Sequence, residues 1–421
     1  MQNPRKVAVN ILLKIEKESA FSNIVVANLL KEAELENKDK ALVSALVYGV
    51  LDRKITLDAV LSRFMRTPLK KTAPFTLQVL RTALYQIMFM DKIPESAAVN
   101  EAVKLIKKSK ESRNSGFVNA VLRSCIREEN LIPQGDNPKD LEIRYSCPLW
   151  IIESFIKDYG KETAINLLEE SLKAAPVTLK VNTIITDTQK LKADLEKEGI
   201  SVTANEDSLT VAKGFDISKC EAFKKGMFHV QDMASQKAVA VLSPKKGERV
   251  LDLCAAPGGK SFTMAEMMGN KGELISCDLY ENRVKLISDN AKRLNIDIIK
   301  TRTADAGVYD ENLGLFDAVL CDVPCSGLGV IRRKPDIKYK PHTDFKELEE
   351  IQYSILCTAV KYLKKGGRIL YSTCTLRKEE NENLLDRFLK DNKNFRKEYE
   401  HTFMPHIDKT DGFYCGLLIK E

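Results

Sequence analysis

Two short segments place a thiol where it could attack a substrate. One reads Asp322-Val323-Pro324-Cys325-Ser326-Gly327 and the other Ser372-Thr373-Cys374-Thr375. Each ends a strand-like run, Ala318–Cys321 and Arg368–Ser372, and residues just past such a strand face a cleft at its carboxyl end. A thiolate is a strong nucleophile, and a nearby lysine lowers a thiol pKa. Lys260 is the candidate, in Asp252-Leu253-Cys254-Ala255-Ala256-Pro257-Gly258-Gly259-Lys260. Val250, Leu251 and Leu253 form a short buried-strand pattern, Pro257, Gly258 and Gly259 stop it, and Phe262, Met264, Ala265, Met267 and Met268 continue as an apolar helix. A strand, glycine turn and helix in this order open a nucleotide-binding α/β unit, because glycines allow close backbone approach and the helix start offers free N–H groups. The turn is neither G-x-G-x-x-G nor G-x-x-x-x-G-K-[ST], so a nucleoside without phosphates is expected.

Four carboxylates fall at the ends of successive strand patterns: Asp252, Asp278, Asp305 and Asp322. An acid after the second strand suits ribose hydroxyls, and Asp305 falls where an adenine edge would lie. A nucleophilic thiol beside a phosphate-free nucleoside points to one chemistry. Cytosine C5 does not take a methyl group directly, but thiolate addition at C6 makes it carbanion-like and able to attack a sulfonium methyl donor. A second group must then remove the C5 proton, a carboxylic acid at the N3/N4 edge would hold the added charge, and the base must leave its stack to be reached. Asp322, Cys325, Cys374 and Lys260 supply these parts, with either thiol open as the nucleophile. Cys254, Cys277, Cys321 and Cys357 are expected to pack as small hydrophobes.

The elements that must position these residues follow from periodicity. Residues 1–130 read as helices, with Val7, Ile11, Leu12 and Ile15, then Ile24, Val25, Leu29 and Leu30, at helical spacing. Ala41–Leu51 and Thr76–Met90 read as long buried helices, the second interrupted by Arg81. Leu131–Lys139 is a linker, and 141–172 is helical with Trp150, Ile151, Phe155, Tyr159, Ile165 and Leu168 on one face. Val177–Val181, Ile200–Ala204, Leu209–Ala212 and Met227–Val230 read as strands around a helix at Asp187–Gly199. From 236 onward, strands are expected at Arg249–Cys254, Glu273–Asp278, Ile298–Arg302, Ala318–Cys321, Arg368–Ser372 and Phe413–Ile419, with helices between. The expected architecture is multidomain: an all-α region (1–130), connecting helices (131–173), a small α+β module (174–235) and a doubly wound, mostly parallel α/β domain (236–421).

Composition bounds the function. The chain has 421 residues, 44% hydrophobic and 30% charged, as in soluble multidomain proteins. No apolar run reaches the roughly 18–20 residues of a membrane span, and the amino-terminal residues lack the apolar core of a signal peptide. Ten cysteines without a C-x-x-C pair and four scattered histidines predict reduced thiols in a cytoplasm and no metal site. Residues 1–140 carry 23 Lys and Arg against 16 Asp and Glu, whereas 141–421 carry 43 of each. The whole formal charge of +7 thus sits in the first third, the footprint of a nucleic-acid-binding region joined to a neutral catalytic one. After Cys325, the loop with Arg332, Arg333, Lys334, Lys338, Tyr339 and Lys340 is a second candidate for phosphate contact. A binding factor without activity is one rival reading, and the intact Asp322, Cys325 and Cys374 speak against it.

These motifs together resemble the bacterial 16S ribosomal RNA cytosine-C5 methyltransferases of the RsmB (Sun/Fmu) type over essentially the whole chain. Asp252–Lys260 resembles that family's S-adenosylmethionine loop, Asp322-Val-Pro-Cys its Asp-Ala-Pro-Cys motif, and Ser372-Thr-Cys its Thr-Cys motif. Residues 1–130, with Gly116-Phe-Val-Asn-Ala-Val-Leu-Arg, resemble a NusB-like helical domain, and 141–235 resemble connecting helices and an RRM-like module. The resemblance implies S-adenosylmethionine as cofactor, contacted by Cys254, Ala255, Ala256, Pro257, Gly258, Gly259, Lys260, Asp278, Arg283, Asp305 and Asp322. It implies Cys374 as the nucleophile, Cys325 as the residue that assists product release, and 16S ribosomal RNA as partner with cytosine-967 as the expected target; a monomer is expected. Methylation of DNA or tRNA in place of ribosomal RNA is the other rival reading. Val323 replaces the family's usual Ala, and Lys180 stands where Arg is common, which removes a bidentate phosphate contact there.

Overall fold

The computed structural model describes residues 2–18, 22–211, 217–339 and 345–421, and the side chain of Ile24, Ala212 and Lys340 lie outside what it describes. The chain forms two compact units: Met1–Lys173 with Ile331–Pro341, and Ala174–Val330 with His342–Glu421.

The first unit is helical: α1 (Pro4–Glu18), α2 (Ser22–Glu32), α3 (Asn37–Asp52), α4 (Lys54–Phe64), α5 (Pro74–Phe89), α6 (Glu95–Lys107), α7 (Ser115–Ile126), α8 (Pro138–Tyr145), α9 (Leu149–Tyr159) and α10 (Lys161–Ser171). Helix α3 buries Val43, Leu46, Val47, Val50 and Leu51, a stripe at helical spacing. Arg81, which breaks the apolar pattern of α5, does not leave the core. Its Nε and Nη2 donate to Asp58 at 2.6 and 2.8 Å and its Nη1 to Glu16 at 3.3 Å, so the buried cation is paired. The helical stretch expected at 141–172 is three helices. Pro148 caps α9, and Gly160, at φ 81°, separates α9 from α10.

The second unit begins with β1 (Val177–Val181), α11 (Thr188–Lys197), β2 (Val202–Asn205), β3 (Ser208–Val211), α12 (Glu221–Lys224) and β4 (Phe228–Val230). Their antiparallel sheet has the order β2-β3-β1-β4, the βαββαβ arrangement of ferredoxin-like modules. Then follow α13 (Met233–Leu242), β5 (Arg249–Asp252), α14 (Gly259–Met267), β6 (Glu273–Asp278), α15 (Glu281–Arg293), β7 (Ile299–Thr303) and β8 (Phe316–Asp322). The chain continues through α16 (Phe345–Ala359), β9 (Leu363–Thr373), α17 (Glu382–Asp391), β10 (Phe395–Phe403), α18 (Pro405–Asp408) and β11 (Phe413–Lys420). Strands β9, β8, β5, β6 and β7 are parallel, and β11 and β10 add antiparallel at one edge, in the order β10-β11-β9-β8-β5-β6-β7.

Strand β10 departs from the expected pattern. Its sequence, Phe-Arg-Lys-Glu-Tyr-Glu-His-Thr-Phe, is an edge strand paired only with β11, so it needs no buried alternation and shows none. Strand β5 ends at Asp252, two residues before the expected Cys254, where the turn begins.

Candidate active site

The glycine turn runs from the end of β5 to α14. Gly258 takes φ 109°, a conformation open to glycine, and a Cβ there would stand 2.3 Å from the Phe262 ring. The Ala255 N–H donates to the Cys277 carbonyl at 2.7 Å, which ties the turn to the end of β6. Asp278 ends β6 and is buried. Its Oδ2 accepts from the Ala256 N–H at 3.3 Å and its Oδ1 from the Tyr280 N–H at 3.3 Å. Arg283 bridges the two segments, with Nη1 3.3 Å from Asp278 and Nη2 donating to the Ala256 carbonyl at 3.1 Å. Asp305 is exposed past β7 and accepts from the Gly307 N–H at 2.8 Å. A buried carboxylate beside a glycine turn and a helix start suits a nucleoside diol.

Asp252 has a different environment. It is fully buried, its Oδ2 accepts from Ser261 at 2.7 Å, and Ser261 in turn accepts from Ser276 at 2.8 Å. Its Oδ1 has no hydrogen-bond partner. Burial pushes its carboxyl up to about 7, against the lowering effect of the Ser261 bond.

Asp322 lies opposite Ser372 in the parallel pairing of β8 with β9, so the two motif segments are brought side by side. Lys260, in the first turn of α14, donates to Asp322 Oδ2 at 2.7 Å. Burial works against the Lys260 charge, but the charge of Asp322 and its hydrogen bond outweigh it and hold the ammonium pKa up. The Phe413 ring lies 5.0 Å from the same Nζ.

The two thiols meet. Cys325 Sγ and Cys374 Sγ are 3.2 Å apart with no disulfide between them, and both are partly exposed. The Cys325 thiol is pushed well up, first by its hydrogen bond with Cys374 and then by burial. Of the cysteines expected to pack, Cys277 and Cys321 are buried, while Cys254 and Cys357 keep some exposure.

The structure therefore brings together Lys260, Asp322, Cys325 and Cys374, and Lys260, the last residue of the turn 254–260, joins them to the turn that Asp278 and Arg283 hold. The cationic loop is different. Its described residues 331–339 belong to the helical unit, where Lys338 is fully buried and donates to the Asp52 carbonyl at 2.7 Å and to Asp52 Oδ1 at 3.0 Å. Lys338 is thus a buried structural cation and not a phosphate contact, because leaving that carbonyl and carboxylate unpaired would carry a large desolvation penalty. Tyr339 donates to the Leu51 carbonyl beside it at 2.7 Å. Arg332 is also largely buried, 4.0 Å from Glu170, whereas Lys334 is exposed and Arg333 half-buried. Lys180, read above as a replaced phosphate contact, is buried with Glu266 at 3.5 Å.

Sequence reasoning missed two residues here. Glu380 and Asn381 are both fully buried and hydrogen-bonded into the thiol segments. The one visible signal is their position six and seven residues after Cys374, in Glu379-Glu380-Asn381-Glu382.

Comparison with known proteins shows the family. The family described as 16S rRNA methyltransferase RsmB/F matches residues 239–419, the NusB family matches 2–127, and the ferredoxin-like domain of RsmF/B-like methyltransferases matches 147–218. A Bacillus subtilis (strain 168) protein described as a probable ribosomal RNA small subunit methyltransferase B is 38% identical, covering 99% of this chain and 98% of that one. Ribosomal RNA small subunit methyltransferase B of Proteus mirabilis (strain HI4320) is 30% identical over 100% and 99%. The solved structure of the protein called PH0851 is similar over 100% of this chain and 99% of that one, at a TM-score of 0.84 and 26% identity. The module read as RRM-like is matched as ferredoxin-like, in keeping with its strand order. The chain belongs to the family of S-adenosylmethionine-dependent ribosomal RNA small subunit methyltransferases B.

Proposed function

We propose that this chain methylates C5 of one cytosine in 16S ribosomal RNA, through a covalent adduct between Cys374 and C6 of a base drawn out of its stack. The observation that carries this reading is the 3.2 Å thiol pair beside the Asp322–Lys260 pair, at the ends of adjacent strands. S-adenosylmethionine supplies an electrophilic methyl group when bound. The glycine turn 254–260, Asp278, Arg283, Asp305 and Asp322 are assigned to hold it.

Once one thiol of so close a pair ionises, the other can donate its hydrogen to the thiolate, and Cys325, whose thiol is pushed up by that hydrogen bond and by burial, is assigned as the donor. Cys374 is assigned as the sulfur that ionises and adds to C6. Asp322, fixed by Lys260 and Ser372, is assigned to the N3/N4 edge of the cytosine, where it accepts from the N4 amino group while the Lys260 ammonium beside it offsets the negative charge that develops as the adduct forms. Cys325 assists the elimination in which C5 gives up its proton, the bond from Cys374 to C6 breaks and Cys374 leaves as thiolate, freeing the product. The helical region 1–130, with the chain's excess of positive charge, is assigned to the RNA backbone, and of the later loop only Arg333 and Lys334 remain candidates for phosphates.

The test uses wild type, Cys374→Ala and Cys325→Ala with radiolabelled S-adenosylmethionine and unmodified 16S ribosomal RNA. Wild type gives 5-methylcytidine, Cys374→Ala gives nothing, and Cys325→Ala leaves a protein–RNA adduct on a denaturing gel. An adduct from Cys374→Ala with an inactive Cys325→Ala would exchange the two roles. RNA binding without methyl transfer by the wild type would overturn the reading.

A further inference from the structure

Glu380 and Asn381 are consecutive, buried, and outside both thiol segments. The Glu380 carboxylate accepts four hydrogen bonds. Its Oε2 takes the Ser326 N–H at 2.9 Å and Gln352 Nε2 at 2.9 Å, and its Oε1 takes Ser326 Oγ at 2.5 Å and Arg377 Nη1 at 3.2 Å. Ser326 directly follows Cys325. Gln352 Nε2 also donates to the Pro324 carbonyl at 2.9 Å, directly before it. One carboxylate and the amide bonded to it therefore hold the backbone on both sides of Cys325.

Asn381 does the same for the other thiol. Its Oδ1 accepts from Thr373 Oγ1 at 2.6 Å, and its Nδ2 donates to the Thr375 carbonyl at 3.1 Å. Thr373 and Thr375 flank Cys374. The two loops are then closed on each other by Ser326 Oγ and Thr375 Oγ1 at 2.7 Å. Burying a carboxylate is unfavourable, and loops that only had to pack would be held as well by apolar side chains. What a carboxylate with four bonds and an amide with two add is direction, because each bond fixes a distance and an angle.

We infer that Glu380 and Asn381 are positioning residues that together set Cys325 at contact distance from Cys374. The inference rests on the proposed reading that this thiol pair performs the chemistry. Because Glu380 and Asn381 adjoin at the start of α17, movement of one loop is passed to the other, and the spacing between the sulfurs is kept while the loops accommodate a base.

The test is run on the full chain with Glu380→Gln and Ser326→Ala. In Glu380→Gln the amide nitrogen faces donors, so two of the four bonds become repulsive. In Ser326→Ala only the hydroxyl bonds to Glu380 and Thr375 are lost. The first readout is the rate at which a diazene oxidant links the thiols, mapped by mass spectrometry. In that probe reaction the two thiols lose two protons and two electrons, the S–S bond forms, and the diazene is reduced to the hydrazine. Wild type forms the Cys325–Cys374 link, and Glu380→Gln forms it at least about tenfold more slowly, the size of one charge-assisted hydrogen bond. Ser326→Ala is slowed in the same direction by less, and both variants keep S-adenosylmethionine affinity within about twofold of wild type.

The second readout is the protein–RNA adduct. Glu380→Gln, with Cys325 displaced, accumulates it as Cys325→Ala does. Wild-type linking rates in folded Glu380→Gln overturn the inference, and if that variant does not fold, a wild-type rate in Ser326→Ala overturns it instead. If Cys325→Ala traps no adduct while the linking rates fall as expected, the positioning role stands and the proposed chemistry fails.

Discussion

Ser372 donates its hydroxyl to Asp322 Oδ1 at 2.8 Å, across the pairing of β9 with β8, while Lys260 holds the other oxygen at 2.7 Å. Asp322 thus has one neutral and one charged donor, and its orientation is set from two elements. Ser372→Ala removes only the neutral one. Single-turnover methyl transfer should fall about tenfold with S-adenosylmethionine affinity nearly unchanged, and Lys260→Met should cost more. Stopped reactions with labelled cofactor, beside equilibrium binding, separate the two effects.

Asp252 makes stability depend on pH. The folded protein holds its proton up to about pH 7, whereas an unfolded Asp releases it near pH 4. This site's stabilising contribution is therefore full below about pH 4 and is lost as pH rises through about 7. Asp252→Asn keeps an oxygen for the Ser261 hydroxyl and carries no charge to bury. It should gain on the wild type by on the order of 3 kcal/mol between pH 5 and pH 8, read from thermal unfolding midpoints at both pH values. An equal difference at both would refute this.

Lys338 should matter to the fold of the helical unit and not to RNA. Asp52→Ala leaves a buried ammonium with one backbone carbonyl, at a cost of about 3 kcal/mol. Unfolding should shift accordingly. The slope of ribosomal RNA affinity against salt should equal that of the wild type, since no phosphate contact is removed.

Gly329 is fixed by close backbone approach. Its N–H donates to the Cys374 carbonyl at 3.0 Å and its carbonyl accepts from Gly412 at 2.9 Å. A Cβ there would stand 2.0 Å from the Gly412 oxygen and 2.9 Å from the Cys374 oxygen. Gly329→Ala must displace the segment bearing Cys374, and methyl transfer should fall about 100-fold or more while cofactor binding at the turn 254–260 persists. Activity within a few-fold of wild type would show that the segment yields.

The sequence determined what is local. Strand, glycine turn and helix at 249–267, the acids at strand ends and the two thiol segments were legible because each follows from neighbours in the chain, through periodicity or backbone freedom. That β8 and β9 lie side by side and parallel agrees with the doubly wound, mostly parallel sheet expected from the alternating βα pattern. Strand β10 was not legible, because an edge strand of charged residues is made by its partner and not by its own pattern. The fate of charges was decided only by tertiary structure. Lys338 and Lys334 look alike in a basic run, yet one is sealed against Asp52 and the other is exposed, since burial depends on contacts far away in sequence. Glu380 was hidden for the same reason. A Glu in a polar run reads as surface, and only the folded chain shows four donors converging on it. Covalent order fixes which side chains are available and where the backbone turns, but the environment that gives a charge its partners, its pKa and its task is assembled in three dimensions.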